Sequence, residues 1–190
     1  MRVALSFAFA AFAVFCVSAA TPEDACAAAL RRALASGASW TMERRLEGSG
    51  RPLVSSGTVE CFANSGIVWR VERPFQSSVE MTADRMVFED EDGRRVKTLG
   101  DMPHYEAIRE RTDAFAGGDA KAFEGLFKLE ARSAADGKGW VLVMTPEISA
   151  MRRMFAGVEL SGGQALTNVV LKTGDGGVST IRFRETPCAR

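Results

Sequence analysis

The chain has one histidine, His104, set between Pro103 and Tyr105. An imidazole works as a general base only when a nucleophile or an orienting carboxylate stands beside it. No nucleophile–base pattern surrounds His104 in sequence and no G-x-S-x-G turn is present, so His104 reads as a polar residue at a helix start. The run Glu89-Asp90-Glu91-Asp92 is rich in carboxylates. It lacks the ligand spacing of a calcium loop and reads as a solvated turn. The cysteines are Cys16, Cys26, Cys61 and Cys188, with no C-x-x-C and no His/Cys cluster, which excludes zinc-ribbon and dithiol redox motifs. The paired glycines fall between apolar runs and not between a strand and a helix, where they would cradle phosphate. These residues imply no catalytic set, no metal and no cofactor, and the chain is not read as an enzyme. A secreted hydrolase assembled in space around His104 is the rival of that class.

The chemistry that remains is binding by apolar surface. From Gly57 to Gly93 apolar and polar residues alternate. Val59, Cys61 and Ala63 share one face of a first run, Ile67, Trp69 and Val71 of a second, and Val79, Met81 and Ala83 of a third that continues through Met86 and Phe88 past a break near Asp84. A period of two places one face of a strand against a core. Asn64-Ser65-Gly66 and Arg73-Pro74-Phe75 are turn sequences, so the stretch is an antiparallel meander with an apolar face.

Other elements must position that face. Thr21-Pro22-Glu23-Asp24 caps a helix running to about Ser36, ended by Gly37. Ser39 to Glu47 and Leu53 to Phe62 are strands, and Arg94 to Leu99 returns from a turn at Glu91-Asp92-Gly93 as an edge strand blunted by Arg94, Arg95 and Lys97. Residues 101–129 lose the alternation: Met102, Tyr105 and Ile108 have helical spacing, and Asp119 caps a second helix carrying Phe123, Leu126 and Phe127. Strands resume at Phe127 to Ser133 and Gly139 to Thr145, the latter apolar on both faces. Ile148 to Phe155 is one or two helical turns, and Val158 to Ser161, Ala165 to Lys172 and Val178 to Arg184 are the last strands. The order helix, meander, helical insert, meander predicts a strongly curved antiparallel sheet with helices on one side.

Residues 1–20 read as a secretory signal peptide: Arg2, an apolar run from Val3 to Val17, then Ser18-Ala19-Ala20. Phe15 before Cys16 argues against lipidation there. Residues 21–190 then form one domain in an oxidising compartment, where Cys26 and Cys188 could tie the ends together. Basic and acidic residues balance at 24 each, which leaves no electrostatic footprint for nucleic acid or an anionic membrane.

The spacing of Gly57, Trp69, Pro74 and Asp84-Arg85-Met86-Val87-Phe88 resembles the periplasmic lipoprotein carrier family LolA, in its divergent branch. Trp140-Val141-Leu142 with Pro146, then Thr180-Ile181-Arg182-Phe183, resemble its second half, so the likeness spans roughly residues 36 to 185. The resemblance implies an incomplete antiparallel β-barrel with a helical lid over a hydrophobic cavity. It implies a monomeric carrier that binds acyl chains of lipoproteins or another lipid and shuttles them toward the outer membrane, between an inner-membrane loading complex and an outer-membrane acceptor. A binding or sensor module on the same scaffold, recognising a lipidated partner without moving it, is the nearest alternative. The residues that would line the cavity are Val59, Ile67, Trp69, Val71, Met81 and Phe88 from the first meander, and Phe115, Phe123, Leu126 and Phe127 from the insert. Trp140, Met151, Met154 and Phe155 complete the set. The family's lid-holding Arg falls at Ala63 here, so its gating contact is not carried over.

Overall fold

The computed structural model describes residues 21–35, 37–48, 50–62, 66–82, 84–98 and 122–185, with 110, 111, 114 and 119 between the last two. Residues 1–20, His104, Phe115 and Cys188, and the helix expected around Met102 to Ile108, lie outside them. Helix α1 spans Pro22–Ala35. Its start is a reciprocal cap: the Thr21 hydroxyl accepts from the Asp24 backbone N–H at 3.2 Å, and the Asp24 carboxylate accepts from the Thr21 N–H at 3.1 Å. Strands β1 (Ala38–Arg45), β2 (Leu53–Phe62), β3 (Gly66–Arg73), β4 (Ser77–Met81), β5 (Arg85–Asp90) and β6 (Gly93–Thr98) form the first meander. Strands β7 (Phe127–Ser133), β8 (Trp140–Pro146), β9 (Phe155–Gly162), β10 (Leu166–Thr173) and β11 (Val178–Glu185) form the second, with helix α2 (Ser149–Met154) between β8 and β9.

All eleven strands belong to one antiparallel sheet in the order β6-β5-β4-β3-β2-β1-β11-β10-β9-β8-β7. The two meanders are joined by the first and last strands, paired from Ala38↔Glu185 to Arg45↔Val178. Among the described strands β6 and β7 are the edges, so the sheet is an incomplete barrel and not a closed one.

The register puts most of the apolar residues on one face, although the buried Val68 and Val87 lie on the other, with Glu80 between them. Val59 faces Trp69, Trp69 faces Val79 and Val79 faces Phe88 across β2 to β5. Met42 faces Ile181, Ile181 faces Val169, Val169 faces Leu160 and Leu160 faces Leu142 across β1 to β8. The opposite face carries Glu43, Glu60, Arg70, Glu80 and Arg182, with ion pairs Arg70–Glu60 at 3.7 Å and Arg182–Glu43 at 3.1 Å. Both pairs are exposed and contribute little to stability.

Three sequence expectations change. The third alternating run is two strands: Thr82 Oγ1 donates to Asp84 Oδ1 at 2.7 Å and the Thr82 N–H donates to the Arg85 carbonyl at 2.9 Å, closing a turn that keeps Met81 opposite Met86. The helix expected from Asp119 through Phe127 is instead a set of turns over residues 122–126. Gly125 takes a left-handed backbone at φ 78°, which breaks the helical path and releases Phe127 into β7. Arg111 holds this turn by donating to the carbonyls of Ala122 at 2.8 Å and Glu124 at 3.2 Å. Finally, β8 is buried on one face, through Trp140, Leu142, Met144 and Pro146, while Val141 and Val143 are half-buried.

Candidate functional site

The apolar face divides into a filled half and a lined half. Helix α1 packs chiefly on β8 and β7, then β10, β9 and the near strand β2. Its Cys26 and Ala29, both fully buried, join Ala122, Phe127, Trp140, Leu142 and Met144 in one core cluster. Small residues on the helix let it approach the sheet closely. The Trp140 indole N–H donates to the Gly163 carbonyl at 2.8 Å, which satisfies its one polar atom. Phe123 and Phe127 meet edge-to-face at 6.1 Å. Of the residues expected to line a cavity, Phe123, Leu126, Phe127 and Trp140 therefore sit in or against the protein's own core. Phe155 is half-buried at the start of β9. Met151 and Met154 fall in α2, and their side chains lie outside the described residues.

The other half, over β1 to β5, is lined by the remaining predicted residues. Val59, Ile67, Trp69, Val71, Met81 and Phe88 share one face and all are half-buried. At their centre is an aromatic cluster. Trp40 stacks on Trp69 with ring centroids 4.7 Å apart, and Phe183 meets Trp69 edge-on at 6.1 Å. The stack is possible because Gly57 lies opposite Trp40. A Cβ there would stand 1.9 Å from the Arg70 carbonyl oxygen and 3.0 Å from the Trp40 ring, so any side chain would displace both. Lys97 reaches over Phe88 with its ammonium 5.8 Å from the ring centroid, at the β6 edge.

Sequence reasoning missed Trp40 and Phe183 as site residues, although both were legible as inward positions of their strands. It also missed three polar groups on this face. Trp40 Nε1, Arg44 Nε and Ser55 Oγ are buried and have no hydrogen-bond partner.

Two clefts are lined by described residues, the first taking residues from both sides of β3 to β5 and the second opening on the opposite face. One of about 450 Å³ is bounded by Arg70, Glu72, Ser78, Glu89 and Glu91, and one of about 410 Å³ by Val68, Glu80, Val87 and Arg94. Of the predicted lining residues only Val71 borders either. Among the described residues, no group of three or more His, Cys, Asp or Glu side chains is placed to hold a metal ion. No described helix is long and apolar enough to cross a membrane. Cys26 is in the core; its expected partner Cys188 is not described.

No family model matches the chain, and no curated protein matches it. Solved structures of similar fold include a LolA superfamily protein, NE2245, from Nitrosomonas europaea, at 12% identity and TM-score 0.45, covering 87% of this chain and 92% of that one. A putative outer membrane lipoprotein-sorting protein domain from Vibrio parahaemolyticus is 10% identical with TM-score 0.39, covering 87% and 93%. LprF from Mycobacterium bovis is 10% identical with TM-score 0.40, covering 89% and 94%.

Proposed function

We propose that this chain is a periplasmic, LolA-like carrier that takes acyl chains of a lipoprotein or another lipid against the apolar face of β1 to β5. The observation that supports it most directly is the half-buried state of Val59, Ile67, Trp69, Val71, Met81 and Phe88, beside a second half of the same face that α1 fills. At strand spacings of about 4.8 Å, β1 to β5 span about 19 Å, which is about the length of an extended sixteen-carbon chain. Each buried methylene contributes about 0.8 kcal/mol. A sixteen-carbon chain gains about 12 kcal/mol gross, against association costs of about 4–15 kcal/mol. The balance is a modest, reversible affinity, which suits a carrier that must release its load.

Mass spectrometry of the gently purified protein is the test. Co-purifying acylated lipid or lipoprotein is the expected result. Phe88→Glu should weaken binding of a fluorescent fatty acid by about tenfold or more, because a charge would be buried against the chain. Phe88 is far from the α1 core, so the fold should survive. A folded protein that carries no lipid and binds the probe equally well with Phe88→Glu would end this reading.

A further inference from the structure

The apolar face carries a polar patch at β1 and β2. Trp40, Met42 and Arg44 alternate onto it from β1, and Ser55 lies opposite Met42 on β2. Ser55 is therefore a diagonal neighbour of both Trp40 and Arg44, at about 7–8 Å between strands, within reach of an indole edge and a guanidinium. Trp40 is 2% exposed, and its benzo-ring carbon Cζ2 lies 3.0 Å from where a Cβ on Gly57 would stand. Trp40 Nε1 and Arg44 Nε are obligate donors, and Ser55 Oγ can donate. All three are buried and none finds a partner. Arg44 is also opposite Ser179 on β11, a buried hydroxyl residue. Arg44 acts electrostatically on Asp175, whose carboxylate is engaged locally: it accepts from the Thr173 hydroxyl and from the Gly177 N–H at 3.1 Å. Among the described residues Arg44 forms no ion pair.

Donors without acceptors, one of them charged, ask for an acceptor that is anionic. From this we infer that the cargo is an acyl lipid with an acidic head, a carboxylate or a phosphate. The head sits at Arg44, Ser55 and the Trp40 N–H, and the chain runs over Trp69 toward Phe88. This rests on the carrier reading above and specifies its ligand class. An ester carbonyl can accept from these donors but brings no negative charge to Arg44, so the patch favours acids. Arg44 supplies the charge and the forked donor geometry that suits an oxyanion.

Palmitate, hexadecyl phosphate and methyl palmitate titrated into residues 21–190, by displacement of a fluorescent fatty acid, test it. Both acids should bind about tenfold or more tighter than the ester, the loss expected when a hydrogen bond to a charged group is missing. Arg44→Gln should erase that preference by weakening the acids and leaving the ester unchanged, with Arg44→Lys retaining part of it. Ser55→Ala, which preserves the charge, should reduce the preference less. The tighter of the two acids identifies the head. Inorganic phosphate binding as tightly as hexadecyl phosphate would show a free-anion site unrelated to lipid and overturn the inference. So would acids and ester binding alike, or Arg44→Gln weakening all three equally, and in both cases the carrier reading stands. If none of the three lipids binds the folded protein, the carrier reading itself fails.

Discussion

Replacing Gly57 by alanine tests whether the aromatic cluster depends on a missing side chain. The new methyl carbon would sit 1.9 Å from the Arg70 carbonyl oxygen, 2.8 Å from its carbon and 3.0 Å from the Trp40 ring. The first two are backbone atoms of β3 and cannot rotate away. The pair must therefore separate, at a register irregularity that already lies between Ser56 and Gly57. Overpacking costs about 1–3 kcal/mol, and a contact with backbone belongs at the top of that range. Parting the Trp40–Trp69 stack forfeits a further ~1 kcal/mol. The alanine gains back about 0.4–1 kcal/mol from a stiffer unfolded chain. The net is about 3 kcal/mol of destabilisation. In a domain of this size that lowers Tm by about 6–12 °C at 2–4 °C per kcal/mol. Urea unfolding followed by tryptophan fluorescence measures the energy, and near-UV circular dichroism reports the stack. Gly157→Ala is the control, because its nearest neighbour would be the Met144 carbonyl oxygen at 3.8 Å, an ordinary contact. If Gly57→Ala unfolds at the same urea concentration as Gly157→Ala, or keeps the near-UV signal of the stack, the reasoning about this glycine is wrong.

Two further outcomes follow from the filled half and from a turn. Trp140→Phe should cost about 1–3 kcal/mol by leaving the Gly163 carbonyl without its donor and opening a small void beside Leu142, read as a lower urea midpoint with unchanged m. Equal stability would mean that the indole N–H contributes nothing. The Thr173 hydroxyl, helped by the Gly177 N–H, holds the Asp175 carboxyl below its ordinary value of 3.8. A folded-state value below the unfolded one contributes stability above pH 3.8, lost as pH falls through the folded value. The Tm difference between wild type and Asp175→Asn should therefore be largest near neutral pH and shrink on going to pH ~3. A difference that stays constant across that range would show that the charge is irrelevant to the turn.

The alternation of Val59, Ile67, Trp69 and Val79 was enough to define the strands and the face they share, because period two is a local property of the chain. Leu53 to Phe62 and Phe127 to Ser133 fall where the pattern places them. The Thr21–Asp24 cap was equally legible, since a cap needs four consecutive residues and nothing else. Two features were not. The pairing of Ala38 with Glu185 depends on residues far apart in sequence, and no periodicity encodes which strand edges meet. The division of the face depends on where α1 docks, and the sequence of α1 shows only Leu30 and Leu34 at helical spacing among alanines, a stripe compatible with any apolar surface. Hence Trp140 and Phe127 looked equivalent to Trp69 and Phe88 in sequence, although α1 covers the first pair and not the second. The polar patch was hidden for a related reason. Period two already sets Arg44 on the side of Trp40 and Met42, but that Ser55 lies beside it and that its donors go unmet depend on the register.

The seam between β1 and β11 also sets a timetable. Eight residue pairs join the two ends of the folded region, so the wall they form is absent until the final strand has been delivered. A chain crossing an inner membrane N-terminus first would expose the bare edge of β1 throughout its passage, with the first meander complete but unsupported on that side. Contacts of such long sequence separation form late and slowly, and an unpaired edge invites pairing with other chains. The aromatic cluster shares this dependence, since Phe183 arrives with β11. A polypeptide without that strand would lose the pairing that supports β1 and the edge-on contact of Phe183 with Trp69.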